Sequence, residues 1–258
     1  MSDRHIFDLS GRVALVTGAS SGFGRRFARQ LAASGARVVV GARRIELLET
    51  LVAEIRSAGG QALAVALDVA DEQSTIAAYD VAEAAFGTVD TIIANAGMNS
   101  EGSVLDLPIE EFDRVISVNL RGVFLTVREG ARRLIAAGSP VRGNGRVLIT
   151  ASIAAHAVEP GLAVYSSTKA AVIQLGKVLA RDWIRQGINV NMLCPGYVRT
   201  ELNADWFDSE LGQRKIQRFP RQRLMDEAEL DPLLLYLSSD LSSGVTGTAF
   251  TIDDGQSL

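Results

Sequence analysis

Short apolar runs alternate along the chain with longer amphipathic stretches. The runs fall at residues 13–16, 38–40, 63–67, 91–94, 146–150, 190–193 and 249–252. Each is strand length, and most are rich in valine and isoleucine, whose branched side chains suit a pleated surface. The stretches between them, such as 45–58, 71–86 and 110–137, are helix length. Strands alternating with helices predict a parallel sheet with right-handed crossovers and helices on both faces. The runs are apolar almost throughout rather than at every second residue, the pattern of a sheet buried on both sides. No linker, repeat or low-complexity segment interrupts the alternation, so one domain over residues 1–258 is expected. The spacing breaks once. After Pro195 roughly thirty residues pass without a strand signal, and this stretch carries Trp206 and Phe207 among many charges. Long insertions at a strand end often cover a site. Residues 197–224 are expected to form a lid, or else a surface helical pair packed by its aromatics.

Composition narrows the classes. Apolar residues make up 47% of the 258, enough for a large core. No apolar stretch approaches the roughly 20 residues of a membrane span, and the opening "MSDRHIFDLS" lacks the apolar centre of a secretory signal. The single cysteine, Cys194, suits a reducing, cytoplasmic setting. A net charge of −4 argues against a non-specific nucleic-acid surface. Two histidines and one cysteine argue against a structural metal site.

Candidate chemistry gathers at predicted strand ends. "VALVTGASSGFG" leads the first strand into the first helix, with Gly18, Gly22 and Gly24 at the junction. Glycines allow a tight turn and close backbone approach, and a helix N-terminus attracts a pyrophosphate. The second strand ends "VVVGARR", with Arg43 and Arg44 where an NAD-binding fold often carries an acid. A guanidinium there pairs with a 2′-phosphate, so NADP(H) is the preferred cofactor, with NAD(H) as the alternative. Further on, "AVYSSTKAAV" places Tyr165 and Lys169 one helical turn apart on one face. A cation within about 4–6 Å favours a phenolate and can lower its pKa by roughly 1–3 units, the setting for general acid–base work. Ser152 ends the strand "RVLITAS", where a hydroxyl can stabilise charge growing on a substrate oxygen.

These motifs, with "DV" at 68–69, "NAG" at 95–97, "VNL" around Asn119 and "PGYVRT" at 195–200, resemble the short-chain dehydrogenase/reductase family in their order and spacing over nearly the whole chain. The resemblance implies a Rossmann-type doubly wound parallel sheet of seven strands, a nicotinamide cofactor and ketone–alcohol chemistry. It implies a catalytic set of Asn119, Ser152, Tyr165 and Lys169, with Asn119 kinking its helix and holding a water that links Lys169 to solvent. It places the cofactor against Gly18, Ser20, Ser21, Gly22, Phe23 and Gly24, then Arg43, Arg44, Asp68 and Val69, then Asn95, Ala96 and Gly97. Tyr165, Lys169, Pro195, Gly196, Val198 and Thr200 complete that surface. The substrate pocket is expected from Met98, Ile153, Ala154, Val158, Tyr197, Trp206 and Phe207. That set is largely apolar, so a ketone or secondary alcohol with a sizeable apolar or alicyclic part is expected. A homotetramer is implied, with Ala170, Ala171 and Gly176 offering a close-packing helix face. The chain departs from the family pattern at "ANAG" and at its last residues, "DDGQSL", for which packing on a neighbouring subunit is one reading.

Other residues read as ordinary. Cys194 reads as a small hydrophobe without a base partner, His156 as a loop residue, and His5 as part of a tail or first turn. Arg25 and Arg26 suit either a phosphate or a solvated face, and Asp253 and Asp254 suit a turn. A reductase of carrier-bound acyl chains shares all the motifs. It would gain support from a basic patch built by Arg132, Arg133, Arg214, Arg218, Arg221 and Arg223. A cofactor-sensing protein without catalysis would be expected to lose Tyr165 or Lys169, and both are present.

Overall fold

The seven apolar runs form seven strands of one parallel sheet in the computed structural model, which describes residues 6–200 and 203–258. They are β1 (Val13–Thr17), β2 (Arg37–Ala42), β3 (Gln61–Ala66), β4 (Thr91–Ala94), β5 (Gly145–Thr150), β6 (Ile188–Pro195) and β7 (Ala249–Ile252). Their order across the sheet is β3-β2-β1-β4-β5-β6-β7, every pair parallel. The chain winds outward from β1 to β3, returns to place β4 beside β1, and winds the other way. The crevice at the carboxyl ends of β1 and β4 is the switch point where ligands bind in such sheets.

Period-two geometry explains the two-sided burial. Val13 and Leu15 join a core layer with Val39, Ile92, Val147 and Val190. Their neighbours Ala14 and Val16 join the opposite layer with Val38, Val40, Ile93 and Leu148. Helices α1 (Gly22–Ala33), α2 (Ile45–Ser57) and, late in the chain, α10 (Asp231–Ser238) cover this second layer. The first is covered by α3 (Glu72–Phe86), by the long segment after β4 and by α7 (Ala163–Trp183). Between them come the short α6 (Ser139–Arg142) and, after β6, α8 (Ala204–Asp208) and α9 (Glu210–Arg218).

Helix ends follow local chemistry. Asp71 caps α3 by accepting from the Gln73 and Ser74 amides, so the helix predicted from residue 71 begins one residue later. Gly35, next after the Ser34 cap that ends α1, takes φ +98, a left-handed backbone that glycine adopts readily. The helix expected at 110–137 is not continuous. It runs as α4 (Ile109–Ile116), a π-helical turn over Ser117–Gly122, and α5 (Val123–Ala136). That wider turn contains Asn119, and π-turns within helices often mark functional positions.

Candidate active site

The glycine turn sits at the switch point, and its small residues are required by contacts. Gly18 has φ +67, and a Cβ on it would lie 2.7 Å from the Ala96 Cα. A Cβ on Gly24 would lie 2.4 Å from the Gly18 carbonyl oxygen and 2.7 Å from Asn95 Nδ2. The first turn of α1 therefore presses directly onto the strand end. Gly22, by contrast, has φ +50 and only Thr200 within reach of a Cβ, at 3.9 Å. Its backbone is left bare beneath Thr200. Ser21 precedes α1 without a side-chain capping bond, unlike Asp71 at α3. The N-terminal amides and dipole of α1 thus face the turn, as anion binding requires. Phe23 stacks on Phe27 with centroids 5.9 Å apart, fixing the turn to its helix.

Asn95 knits three strand ends together. Its Nδ2 donates to the Thr17 carbonyl at 3.1 Å, its backbone N–H to Thr17 Oγ1 at 3.0 Å, and its Oδ1 accepts from Thr150 Oγ1 at 3.2 Å. Ala96 also donates to Thr17 Oγ1 at 3.0 Å. Thr17 and Thr150 are organising residues that motif reading passed over, although Thr17 stands immediately before the glycines. At the end of β2, Arg44 folds back and donates to the Ser20 and Ser21 hydroxyls, each at 3.0 Å. Arg43 beside it is exposed, and among the described residues no carboxylate pairs with either arginine. Asp68 turns its carboxylate to the Ala70 amide at 3.0 Å, and Val69 is buried against Gly122. Thr200 is fastened by Asn203 Oδ1, which accepts from its amide at 2.7 Å. Pro195 ends β6, Gly196 is pinned by Asp253 and Gln256, and Val198 bridges to Met225.

The four residues implied as catalytic converge at the end of β5. Lys169 is buried and donates to the Thr150 carbonyl at 2.8 Å, with Nζ 5.5 Å from the centroid of the Tyr165 ring. The Ser152 hydroxyl is the hydrogen-bonding partner of the half-buried Tyr165 phenol, and Ser152 Oγ also accepts from the Ala154 amide at 3.1 Å. Asn119 is buried, accepting from the Met98 amide at 2.8 Å and donating to the Met98 carbonyl at 2.9 Å and to Thr168 Oγ1 at 3.2 Å. A Cβ on Gly97 would stand 3.5 Å from both Asn119 Oδ1 and Lys169 Nζ, an ordinary contact distance, so this backbone runs beside both side chains.

The electrostatics differ from expectation. Burial holds the Tyr165 phenol above its usual pKa, with the Ser152 hydrogen bond opposing. Burial lowers Lys169 from 10.5 to about 8. The reason is desolvation. Both groups leave water, which favours their neutral forms, and the ammonium lies over the ring face rather than against the hydroxyl. The free protein therefore holds Tyr165 as a proton donor.

The stretch at 197–224 forms the helical pair α8–α9, whose aromatics pack together; Glu201 and Leu202 lie outside the described residues, as does His5. Phe207 is buried, Tyr197 stacks on Phe219 at 5.5 Å and meets Phe207 edge-on at 5.8 Å, and Trp206 meets Phe207 at 4.8 Å. Ile153 and Ala154 are buried and Met98 is half-buried, but Val158 is 94% exposed. The wall is more polar than the sequence suggested. Glu159 faces the Tyr197 hydroxyl and pairs with Lys215 at 2.6 Å, and Lys215 Nζ lies 5.2 Å from the Tyr197 ring. Glu159 lay in plain view between Ser152 and Tyr165, but Lys215 sits 56 residues away from it and carries no local signal.

Gln256, near the end of the chain, bonds to its own chain, its Oε1 accepting from the Tyr197 amide at 2.6 Å and its Nε2 donating to the Tyr197 carbonyl at 3.1 Å, while Leu258 is exposed. Gly176 faces the sheet, where a Cβ would stand 2.3 Å from Met192 Sδ, so it does not share an outward face with the exposed Ala170. The proposed basic patch is neutralised at most of its members. Arg133 pairs with Glu129, Glu83 and Asp80, Arg214 with Glu210, and Arg221 and Arg223 with Asp254. Arg25 pairs with Glu54, and Arg26 with Asp231 and Glu227, while both line a cavity with Gly22 and Thr200. Cys194 does have a basic neighbour: His156 Nε2 lies 3.8 Å from Sγ, yet burial pushes the thiol up to about 11, which keeps it protonated. Asp253 and Asp254 do close the turn after β7, Asp253 accepting from the Gly255 and Ser257 amides. Among the described residues no group of three or more His, Cys, Asp or Glu could hold a metal, and no helix is long and apolar enough to cross a membrane.

Comparison with known proteins places this geometry in a family. The family model described as short chain dehydrogenase matches residues 12–211. The gluconate 5-dehydrogenase of Gluconobacter oxydans (strain 621H) is 34% identical over 256 residues, covering 99% of this chain and 98% of the relative. The oxidoreductase UcpA of Escherichia coli (strain K12) is 36% identical over 259 residues, covering 97% of this chain and 96% of the relative. A short-chain type dehydrogenase/reductase from Mycobacterium marinum superposes with a TM-score of 0.90 at 37% identity, covering 98% of each chain. So does a gluconate 5-dehydrogenase from Burkholderia cenocepacia J2315, solved with NADP and tartrate, with a TM-score of 0.90 at 34% identity over 98% of each chain. Matched from end to end in both sequence and fold, the chain belongs to the short-chain dehydrogenase/reductase family and is an oxidoreductase of that type.

Proposed function

We propose that this enzyme interconverts a ketone and a secondary alcohol, with NADP(H) as its preferred cofactor and Tyr165 as general acid and base. The observation that carries the reading is the approach of Ser152 and Lys169 to one phenol at the carboxyl end of β5, beside the switch point.

The residues present fit a dinucleotide. The bare backbone at Gly22, the uncapped N-terminus of α1 and the pressed contacts of Gly18 and Gly24 suit a pyrophosphate. Arg44, tied to Ser20 and Ser21 with no carboxylate partner among the described residues, suits a 2′-phosphate beside them, and Arg43 stands next to it. NADP in the Burkholderia cenocepacia structure supports the same reading. Asp68 and Val69 would meet the adenine end, while Asn95, Ala96 and Gly97 form the floor nearer the nicotinamide. Lys169 would hold the nicotinamide ribose hydroxyls, and Thr200 would close over the carboxamide or pyrophosphate side.

A bound nicotinamide would supply or accept the hydride and, in its oxidised form, would carry a positive charge. Ser152 donates to the substrate oxygen and stabilises the negative charge growing there. Tyr165, held protonated by burial, gives its proton to that oxygen during reduction. Lys169 keeps positive charge under the ring and stabilises the phenolate left behind. Asn119 holds the Met98 backbone and Thr168 so that Lys169 keeps its position. The α8–α9 pair serves as the lid over this pocket. The reading of a carrier-bound acyl substrate loses its main support with the neutralised arginines.

The test is initial-rate measurement over a panel of ketones and secondary alcohols, followed by nicotinamide absorbance with both cofactors. Turnover with NADPH at lower cofactor concentration than with NADH supports the proposal. Equal use of the two, or turnover of no carbonyl, refutes it.

A further inference from the structure

Lys169 brings three N–H donors into a buried site, and among the described residues it has one hydrogen-bond acceptor, the Thr150 carbonyl at 2.8 Å. That carbonyl is available because of how β4 ends. The β4–β5 ladder stops at Ala94 opposite Ile149. The next two amides of that chain, Asn95 and Ala96, both donate to Thr17 Oγ1, at 3.0 Å each, and so turn toward β1. Thr150, the last residue of β5, pairs with Leu193 of β6 but has no ladder partner in β4. Its hydroxyl makes the connection instead, donating to Asn95 Oδ1 at 3.2 Å. Asn95 in turn donates through Nδ2 to the Thr17 carbonyl at 3.1 Å, and Gly24 presses on that same nitrogen.

One residue therefore touches both halves of the site. Its side chain is fastened to the floor of the glycine turn, and its carbonyl anchors Lys169. The two contacts are coupled. The hydroxyl bond fixes a strand-end residue that the β4 ladder no longer holds, and with it the direction of the carbonyl. Thr150 is buried, which shields that bond from water. One donor of Lys169 is committed to the carbonyl, and two stay available to the nicotinamide ribose. Resting on the role given to Lys169 above, we propose that Thr150 is a positioning residue: its hydroxyl, tied to Asn95, fixes the carbonyl that sets where Lys169 stands, and so joins the dinucleotide turn to the proton-transfer site. The methyl group of Thr150 has no part in this. A threonine kept for packing alone would depend on its branched shape and not on its hydroxyl.

Two variants separate shape from hydroxyl. Thr150→Val keeps the branched side chain and removes the hydroxyl, and Thr150→Ser does the reverse. Each is assayed with NADPH and a ketone that the wild type reduces, and in the other direction with the matching alcohol and NADP. Thr150→Val is expected to lower kcat about tenfold or more. A cation less well placed stabilises the phenolate less, so in alcohol oxidation the pH at which kcat rises moves up by about half a unit or more. Tyr165 on the same helix and Cys194 on β6, the titratable groups beside Lys169, are unchanged in every variant. Thr150→Ser is expected to recover kcat to within about threefold and to restore the wild-type pH profile. Should Thr150→Val fail to fold, Thr150→Ala takes its place against Thr150→Ser, since those two differ only by the hydroxyl. Wild-type kcat without the hydroxyl, a loss of kcat with an unmoved pH profile, or a Thr150→Ser variant as impaired as Thr150→Val overturns the inference. A wild type that reduces no ketone with either nicotinamide overturns instead the ketone–alcohol reading on which the inference rests.

Discussion

Arg44 offers the sharpest view of how this chain reads its cofactor. The side chain reaches back across the mouth of the glycine turn to the Ser20 and Ser21 hydroxyls, 3.0 Å from each. Arg12, Arg26 and Arg133 are tied to carboxylates, whereas Arg44 is held by neutral hydroxyls. A hydrogen bond to a charged group is worth about 1.5–3 kcal/mol when well shielded. Arg44 is exposed, so screening reduces a phosphate contact to about 1–2 kcal/mol. At about 1.4 kcal/mol per factor of ten, Arg44→Ala should raise KM for NADPH about 5- to 30-fold. KM for NADH should move by less than about twofold, since that cofactor has no 2′-phosphate to lose. The surface position predicts a change in unfolding free energy within about 0.5 kcal/mol. Initial rates at saturating ketone, with each cofactor varied in turn, decide the matter. Equal increases for the two cofactors, or none for NADPH, would refute the reasoning.

Other predictions follow from packing and protonation. Gly24→Ala drives a methyl to 2.4 Å from the Gly18 carbonyl, so it should destabilise by about 1–3 kcal/mol in urea unfolding and raise KM for either nicotinamide. Asn119→Ala strips three partners from the Met98 backbone and Thr168 inside the π-helical turn. It should cost about 2–4 kcal/mol and lower kcat, and a variant of wild-type stability would show that these bonds are replaced by others. Lys169 sits near 8 in the folded protein against 10.5 when free, so between those values the unfolded chain binds more protons and stability rises with pH. Relative to Lys169→Met, the wild type should therefore gain about 1 kcal/mol of unfolding free energy from about pH 8 to about pH 9. Cys194, raised from 9.0 to about 11 chiefly by burial, is present in both proteins, and only its smaller coupling to Lys169 survives in the difference. A difference that stays flat across that window would contradict the placement of Lys169.

Elements governed by short-range pattern were legible in the chain. The run at 249–252 became β7 with the same bounds, and Asp71 and Gly35 marked helix ends by chemistry carried in single residues. Tyr165 and Lys169 were readable because one helical turn fixes their common face whatever the rest of the fold does. The acid–base balance was not readable, because it depends on how much water the sheet and α7 exclude. The π-turn around Asn119 was implied only as a kink, since its extra residue is decided by contacts with Met98 and Thr168 from distant segments. The inward turn of Gly176 depends on Met192 in β6, and the neutralised arginines depend on carboxylates brought up by folding. The polar wall of Tyr197, Glu159 and Lys215 likewise joins three separate segments, and no window along the sequence contains it.

The central claim is that one phenol moves the proton. Tyr165→Phe removes a single hydroxyl and keeps the ring under which Lys169 lies. Measured with NADPH and a ketone that the wild type reduces, kcat is predicted to fall about 10²–10⁴-fold, while NADPH affinity by fluorescence titration changes by less than about threefold. A variant that still reduces the ketone at close to the wild-type rate would contradict the account.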